Sequence, residues 1–389
     1  MTLKQLNLYT SRGLRIVRGE GQYVWDVDGV RYLDCHTGHG VAFLGHRNPK
    51  IVRAVNEQLG KVMTLPATFD NELRDEALVA LGRIVPKHYT YAFFLNSGSE
   101  AVDFALKVAR KVRRKVKFVS FINSFHGRTF GALSLTWNPR YREPFKPLLD
   151  VEFARFNDVG ALEKTVTEDI AAVVVEPVQG EGGINPATRE FMKVLREVTE
   201  SRGALLIVDE IQTGCGRTGY TWASDMYGVY GDVMLIGKAI GGGVPVSIVL
   251  LREDVGPQLG EGDHGTTFGG NPIALAAVKA AAEVLVEEDV AGKACTVGSK
   301  LLSELGKVCS DSRVVRDVRG AGLMVGVELR FDPKFVIQCL QREGVIALKA
   351  GNTVVRLLPP YLINDEDVSA IASAMDRCLD EEVARRVNA

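Results

Sequence analysis

The sequence predicts an α/β protein, with a mostly parallel sheet in a large domain and a smaller α+β domain beside it. Three observations carry this. From about residue 90 to 240, short apolar runs alternate with helical patterns, which right-handed crossovers turn into a parallel sheet covered on both faces. Within that stretch, Ala204–Val208 and Val233–Ile236 are apolar at every position, as strands buried on both faces are. Beyond about residue 290 the texture changes to helices interleaved with pairs of strands.

Bulk properties bound the function. The chain has 389 residues, more than one simple core holds, and its 46% apolar and 24% charged content is ordinary for a globular protein. A net charge of −1 gives no electrostatic reason to bind nucleic acid or a membrane surface. No apolar run nears the ~18 residues of a membrane span. The opening MTLKQLNLYTSRGLRI lacks the apolar centre of a signal peptide, so a cytoplasmic protein is expected. Its cysteines (35, 215, 295, 309, 339, 378) are scattered without a C-x-x-C pair and read as reduced thiols rather than a disulfide framework. The histidines show no metal-ligand spacing, and no metal is expected.

Residues 14–34 alternate apolar and polar around Gly19–Gly21 and Asp28–Gly29, which predicts a small antiparallel meander. A glycine- and histidine-rich loop, CHTGHGVAFLGHRNP, follows. Helical spacing covers Pro49–Leu59 and Asn71–Ile84. Strand Tyr91–Leu95 then runs into NSGSEA, where Ser97 and Glu100 have the spacing of a capping box for a helix reaching about Arg114. Lys117–Ile122 is a strand leading to NSFHGRT; 160–168 is helical; Ile170–Val175 is a strand leading to EPVQGEGG; Pro186–Arg202 is a helix. After HGTTFGGNP comes the helix Ile273–Glu287. The C-terminal part reads as a helix at 293–309, strands Val314–Arg319 and Leu323–Leu329, and a helix from Pro333 to about Arg342. Strands near Val345–Leu348 and over Thr353–Leu358 and a last helix, 365–385, complete it. The expected division is 1–45, an N-terminal part of the small domain; 46–290, the large domain; and 291–389, the rest of the small domain.

The chemistry collects at strand ends, where open α/β sheets bind ligands. One buried run ends in Asp209–Glu210 and the other leads through Gly237 to Lys238. An acid and an amine delivered there together suit pyridoxal phosphate: the lysine tethers the cofactor and the aspartate keeps its ring nitrogen protonated. Taken singly, a lysine after a strand is most often a solvated loop residue, and Asp209 alone could cap a helix or bind a metal. The segment GCGRTG (214–219) matches G-x-G-x-x-G but starts too far from its strand and opens no helix, so a dinucleotide site is rejected. The helix start at NSGSEA can bind an anion through its free N–H groups, although an ordinary capped helix is the plainer reading. Its far end carries Lys107, Arg110, Lys111, Arg113, Arg114, Lys115 and Lys117. Such a run is usually a solvated face, and the competing expectation is a docking site for an acidic partner.

Taken together and in order, NSGSEA, SFHGRT, EPVQGEGG, VDEIQTGCGRTG, GKAIGGGVP and HGTTFGGNP closely resemble the class III (ornithine/acetylornithine-type) aminotransferases. RGEGQYVWDVDG and VVRLLPP extend the likeness nearly end to end. The resemblance implies the type I fold of pyridoxal-phosphate enzymes and the cofactor pyridoxal 5'-phosphate. It implies that Lys238 tethers the cofactor and shuttles the proton, and that Asp209 pairs with the ring nitrogen. Glu210 and Ile211 count with the cofactor residues, and Gln212 lies near the ring hydroxyl. Gly98 and Ser99 would bind the phosphate and Phe125 would stack on the ring. Thr267 would reach the neighbouring subunit's phosphate, implying a symmetric homodimer. Arg128 and Thr266 would contact substrate, Arg356 would take the α-carboxylate of glutamate, and Glu181 would neutralise Arg356 when the other substrate enters. Ser99, Thr266 and Gly237 depart from the commonest residues of acetylornithine enzymes, the first two keeping a hydroxyl.

GHGVAFLGHRNP resembles the lysine-biosynthesis branch. That implies transfer of a terminal amine between 2-oxoglutarate/glutamate and a lysine or ornithine whose α-amine is blocked by a small acidic amino-group carrier protein. Acetylornithine aminotransferase is the alternative, an aminomutase of the same fold a more distant one, and a non-enzymatic descendant the remotest.

Overall fold

The computed structural model describes residues 3, 4 and 6–387. It opens with the meander β1 (Ile16–Glu20), β2 (Tyr23–Asp26) and β3 (Arg31–Asp34). Helices α1 (Pro49–Leu59) and α2 (Glu72–Gly82) follow, each begun by an asparagine whose side chain accepts from first-turn N–H groups. The alternating stretch comprises β4 (Tyr89–Leu95), α3 (Gly98–Arg113), β5 (Lys117–Phe121), β6 (Val151–Ala154), β7 (Ile170–Val175), α4 (Arg189–Arg202), β8 (Leu205–Asp209), β9 (Val233–Ile236) and β10 (Ser247–Arg252).

These strands form one sheet in the order β4-β10-β9-β8-β7-β5-β6. The neighbours β9, β8, β7, β5 and β6 pair in parallel, whereas β10 runs antiparallel to both β9 and β4. Every residue of β7, β8 and β9 is buried, which is why those runs carry no polar alternation. Each buried valine or leucine there contributes roughly 1.5–3 kcal/mol over an exposed one.

The chain continues through α5 (Pro272–Glu287), α6 (Val290–Ser310), β11 (Val315–Ala321), β12 (Met324–Leu329), α7 (Lys334–Arg342), β13 (Val345–Ile346), β14 (Leu348–Ala350), β15 (Val354–Leu357) and α8 (Asp365–Val387). A second sheet has the order β11-β12-β15-β14. Strand β13 instead pairs in parallel with β3, Leu33 opposite Val345, so the first and last parts of the chain share a sheet. Among the described residues no helix is long and apolar enough to cross a membrane, and no group of three or more potential ligands could hold a metal ion.

GCGRTG is a packing device. A Cβ on Gly216 (φ +91°) would lie 3.0 Å from Val290, and one on Gly219 (φ +86°) 3.1 Å from Cys295, both on α6. Between them the fully buried Arg217 donates to the carbonyls of Leu323 (3.0 Å) and Pro359 (2.7 Å) and lies 4.1 Å over the Phe43 ring. The glycines let α6 approach, and the guanidinium ties the loop to the C-terminal strands.

The cysteine expectation is corrected. Cys339 on α7 and Cys378 on α8 form a disulfide, with Cα atoms 5.6 Å apart; Cys35, Cys215, Cys295 and Cys309 are free. The pairing follows from helix packing across 39 residues, which leaves no short spacing to read. Closing a loop of that length stabilises by about 4 kcal/mol in the chain-entropy account. Cys339→Ala/Cys378→Ala is therefore expected to melt roughly 5 °C or more below wild type under non-reducing conditions, with reductant lowering only the wild type. Equal melting temperatures would show that the bridge contributes nothing.

Candidate active site

The cavity is built at the carboxyl ends of β4, β5, β8 and β9. Where β4 passes into α3, the capping box forms: Ser97 Oγ accepts from Glu100 N, and Glu100 Oε2 accepts from the N–H groups of Asn96 and Ser97, both at 2.8 Å. The box satisfies amides outside the helix and leaves Gly98 and Ser99 on the cavity wall, at the positive end of a 16-residue helix. Space is kept by glycines: a Cβ on Gly98 would sit 2.8 Å from Ile211 Cδ1, and one on Gly127 (φ +129°) 2.1 Å from Ser99 Oγ.

Asp209 and Lys238 enter from adjacent parallel strands, with Asp209 opposite Leu235 in register. Asp209 is 5% exposed; its Oδ2 is 2.7 Å from His126 Nδ1, and its Oδ1 accepts from Ile211 N at 3.1 Å. Burial disfavours the His126 imidazolium, but the hydrogen bond and charge of Asp209 outweigh it and raise the imidazole above its ordinary value. Lys238 leaves β9 with φ +49° and lines the cavity; burial, the largest influence, lowers its ammonium to about 8. An amine so placed gives up its proton more readily near neutral pH than an ordinary lysine does.

A third carboxylate, Glu176, joins two loops. It accepts from Phe125 N (2.9 Å) through Oε1 and from Gly180 N (3.0 Å) through Oε2, and burial pushes it up to about 7. The Phe125 side chain and Glu181 both line the cavity. Arg356, fully buried on β15, donates from Nη2 to Glu181 Oε1 (2.6 Å) and from Nη1 to Gln212 Oε1 (3.1 Å). Burial would raise Glu181, but the Arg356 charge prevails and holds its carboxyl well below the usual range. His39 Nδ1 lies 3.6 Å from the same Glu181 oxygen, and Gln212 Nε2 donates to the His39 carbonyl.

The cavity of about 190 Å³ thus brings together Gly98, Ser99, Phe125, Asp209, Ile211, Gln212, Lys238 and Glu181. Glu210 belongs elsewhere: its carboxylate accepts from Thr213, Ala223 and Ser224 and holds the loop after β8, a correction to its grouping with cofactor residues. Gln212 bridges Arg356 and the His39 loop. Thr266 Oγ1 accepts from Asn96 Nδ2 at 3.3 Å, whereas Thr267 is exposed and outside this chain's cavity wall. Arg128 is exposed, its guanidinium 4.8 Å from the Tyr141 ring and 5.8 Å from Phe125, with Nη1 donating to Tyr9 OH. Sequence reasoning assigned no role to His126, Glu176 or His39. All three sit inside quoted motifs, and for the buried His126 and Glu176 a polar residue next to a buried strand was the available signal.

The residues fit pyridoxal phosphate. An anion-binding helix mouth, a cleared wall at Gly98 and Gly127, an aromatic ring, a carboxylate backed by histidine and an amine share one cavity, and His126 Nε2 is a buried atom without a partner. The family model for class III aminotransferases matches residues 8–379. The chain is a class III aminotransferase. Among its relatives, the [LysW]-aminoadipate semialdehyde/glutamate semialdehyde transaminase of Sulfurisphaera tokodaii is 50% identical over 385 residues, 99% of each chain. That of Sulfolobus acidocaldarius is 51% identical over 96% of each chain. A solved ornithine aminotransferase from Toxoplasma gondii, whose title records partial occupancy of PLP at its active site, superposes with a TM-score of 0.92 at 32% identity, covering 96% of this chain and 92% of that one. This class III aminotransferase therefore has the type I fold expected of it.

Proposed function

We propose that this aminotransferase uses pyridoxal 5'-phosphate to move the terminal amino group between a carrier-linked lysine or ornithine and 2-oxoglutarate/glutamate, in lysine and arginine biosynthesis. Supporting the substrate are the names of relatives half identical over nearly the whole chain. The observation that carries the chemistry is Glu181, on the cavity wall shared with Lys238 and Asp209, paired with the buried Arg356 behind it. When bound, the cofactor supplies an electron sink for the carbon that loses its proton. Gly98, Ser99 and the helix mouth would hold its phosphate, Phe125 would lie against its ring, and Asp209, hydrogen-bonded to His126, would pair with its ring nitrogen. Lys238 would tether it and then carry the proton.

Two substrates of unlike charge share this site. With Glu181 closed on Arg356, a second carboxylate is unwelcome and an uncharged amine-bearing chain can enter. With Glu181 displaced, the Arg356 guanidinium grips the α-carboxylate of glutamate bidentately. Glu181→Ala is expected to hold or improve affinity for 2-oxoglutarate and glutamate while slowing the half-reaction with the diamino substrate about tenfold. Equal losses in both half-reactions would make Glu181 merely structural.

A homodimer, with Thr267 of each chain turned toward its neighbour's phosphate, accords with the exposure of Thr267 and of Phe268, which is 63% exposed. We place the enzyme in the cytoplasm and divide it at about residues 45 and 290. Assaying carrier-linked lysine, acetyllysine and acetylornithine side by side tests the substrate. The carrier-linked amine should show the highest kcat/KM, and preference for acetylornithine would make this an acetylornithine aminotransferase.

A further inference from the structure

A pocket that serves two substrates of unlike charge must house Glu181 in two places. When the α-carboxylate of glutamate takes Arg356, the Glu181 carboxylate loses its guanidinium inside the protein, and a carboxylate buried without a partner is costly. It needs a second donor within reach.

One stands there. Besides Arg356, His39 is the one other side chain among the described residues within ion-pair range of the Glu181 carboxylate. Its Nδ1 lies 3.6 Å from the same Oε1 that accepts from Arg356 Nη2. The two partners differ in depth: the Arg356 side chain is fully buried, whereas that of His39 is half exposed. Exchanging one for the other draws Glu181 toward solvent and clears the front of the guanidinium.

The loop that carries His39 is fixed from both sides. Asp34 Oδ1 accepts from the N–H groups of His36 and Thr37, both at 2.9 Å, and Thr37 Oγ1 donates to the Leu358 carbonyl at 2.7 Å. Gln212, whose Oε1 accepts from Arg356, donates from Nε2 to the His39 carbonyl at 3.2 Å, so one amide holds loop and guanidinium at a set separation. His39 itself is a non-glycine residue at φ +61°, a conformation that persists where the surroundings impose it. The His36 ring lies 4.6 Å from that of His39. Burial, its largest influence, pushes the His36 imidazole down to about 4, so it is neutral near pH 7 and offers Glu181 no competing charge.

We propose that His39 is the second seat of Glu181, a positioning residue that receives the carboxylate while Arg356 holds a dicarboxylate substrate, and so sets affinity for glutamate and 2-oxoglutarate. An imidazole can donate to a carboxylate through Nδ1–H either as a neutral tautomer or as the cation. The proposal rests on the two-substrate reading of Glu181 and Arg356.

The test follows single-turnover half-reactions of the full-length holoenzyme. His39→Ala should weaken binding of glutamate and of 2-oxoglutarate about tenfold, and alter the half-reaction with the best of the three amine donors by less than about twofold. His39→Asn, whose side-chain N–H lies near the Nδ1 position, should recover most of the loss. In a Glu181→Ala background His39→Ala should change neither half-reaction, because no carboxylate remains to be received. Unchanged dicarboxylate binding in His39→Ala, equal losses in both half-reactions, or a loss that persists without Glu181 would each overturn the proposal. Glu181→Ala alone identifies the deeper failure: if it slows both half-reactions equally, the two-substrate reading falls, and His39 has no carboxylate to seat.

Discussion

Lys238→Ala is expected to fold normally and to lose transamination by about ten-thousand-fold or more, because among the described residues no other amine lines the cavity to hold the cofactor and carry the proton. Alanine keeps the Cβ that makes φ +49° costly, so the backbone strain at this position is unchanged, and an unaltered melting temperature checks that the variant is folded. A second readout separates tethering from turnover. After borohydride treatment and denaturation, the cofactor should remain attached to wild type and wash away from the variant. Multiple turnover by the variant at the wild-type rate would remove Lys238 from the mechanism.

Asp209→Asn keeps the shape but removes the charge that His126 braces at 2.7 Å. Cofactor should still bind, since the phosphate end is built by a different strand and helix. Proton abstraction should slow by a factor corresponding to ~3–5 kcal/mol of transition-state stabilisation. A rate within a few-fold of wild type would mean that another group holds the ring nitrogen. His126→Phe should reproduce a smaller part of the loss, as expected of a residue that acts through Asp209.

These two side chains were legible because each breaks the apolar pattern at the end of a buried strand. The capping box at Ser97 and Glu100 was legible for a similar reason: its signal is local, three residues wide. Strand Ser247–Arg252 shows the opposite case. An apolar run carries no mark of direction, so its antiparallel place between β9 and β4 is fixed only by the sheet. The Cys339–Cys378 bridge, the His126–Asp209 pair and the pairing of Lys111 with Asp263 each join residues 39 or more apart, and composition along the chain does not encode them. In the basic run beginning on α3, Lys111 and Lys117 find carboxylate partners in Asp263 and Asp169, contacts that crowding in sequence does not announce. Glu210 was misjudged because adjacency to Asp209 suggested a shared role. Successive strand residues point to opposite faces, and Glu210 accordingly serves the far side.

The same alternation gives the pairing of Asp209 with Leu235 a further meaning. A parallel ladder displaced by one residue would still bury the same valines and leucines, since β8 is apolar up to Asp209 and β9 is apolar throughout. It would nonetheless turn the carboxylate away from the cavity. Hydrophobicity therefore proofreads this pair of strands poorly, and the ionisable residues at their ends do the proofreading: in a slipped ladder Asp209 would be buried without His126. A molecule with these two strands out of register would be inert rather than partly active. Specific activity in a refolded sample becomes a count of correctly registered chains, not a measure of partial function.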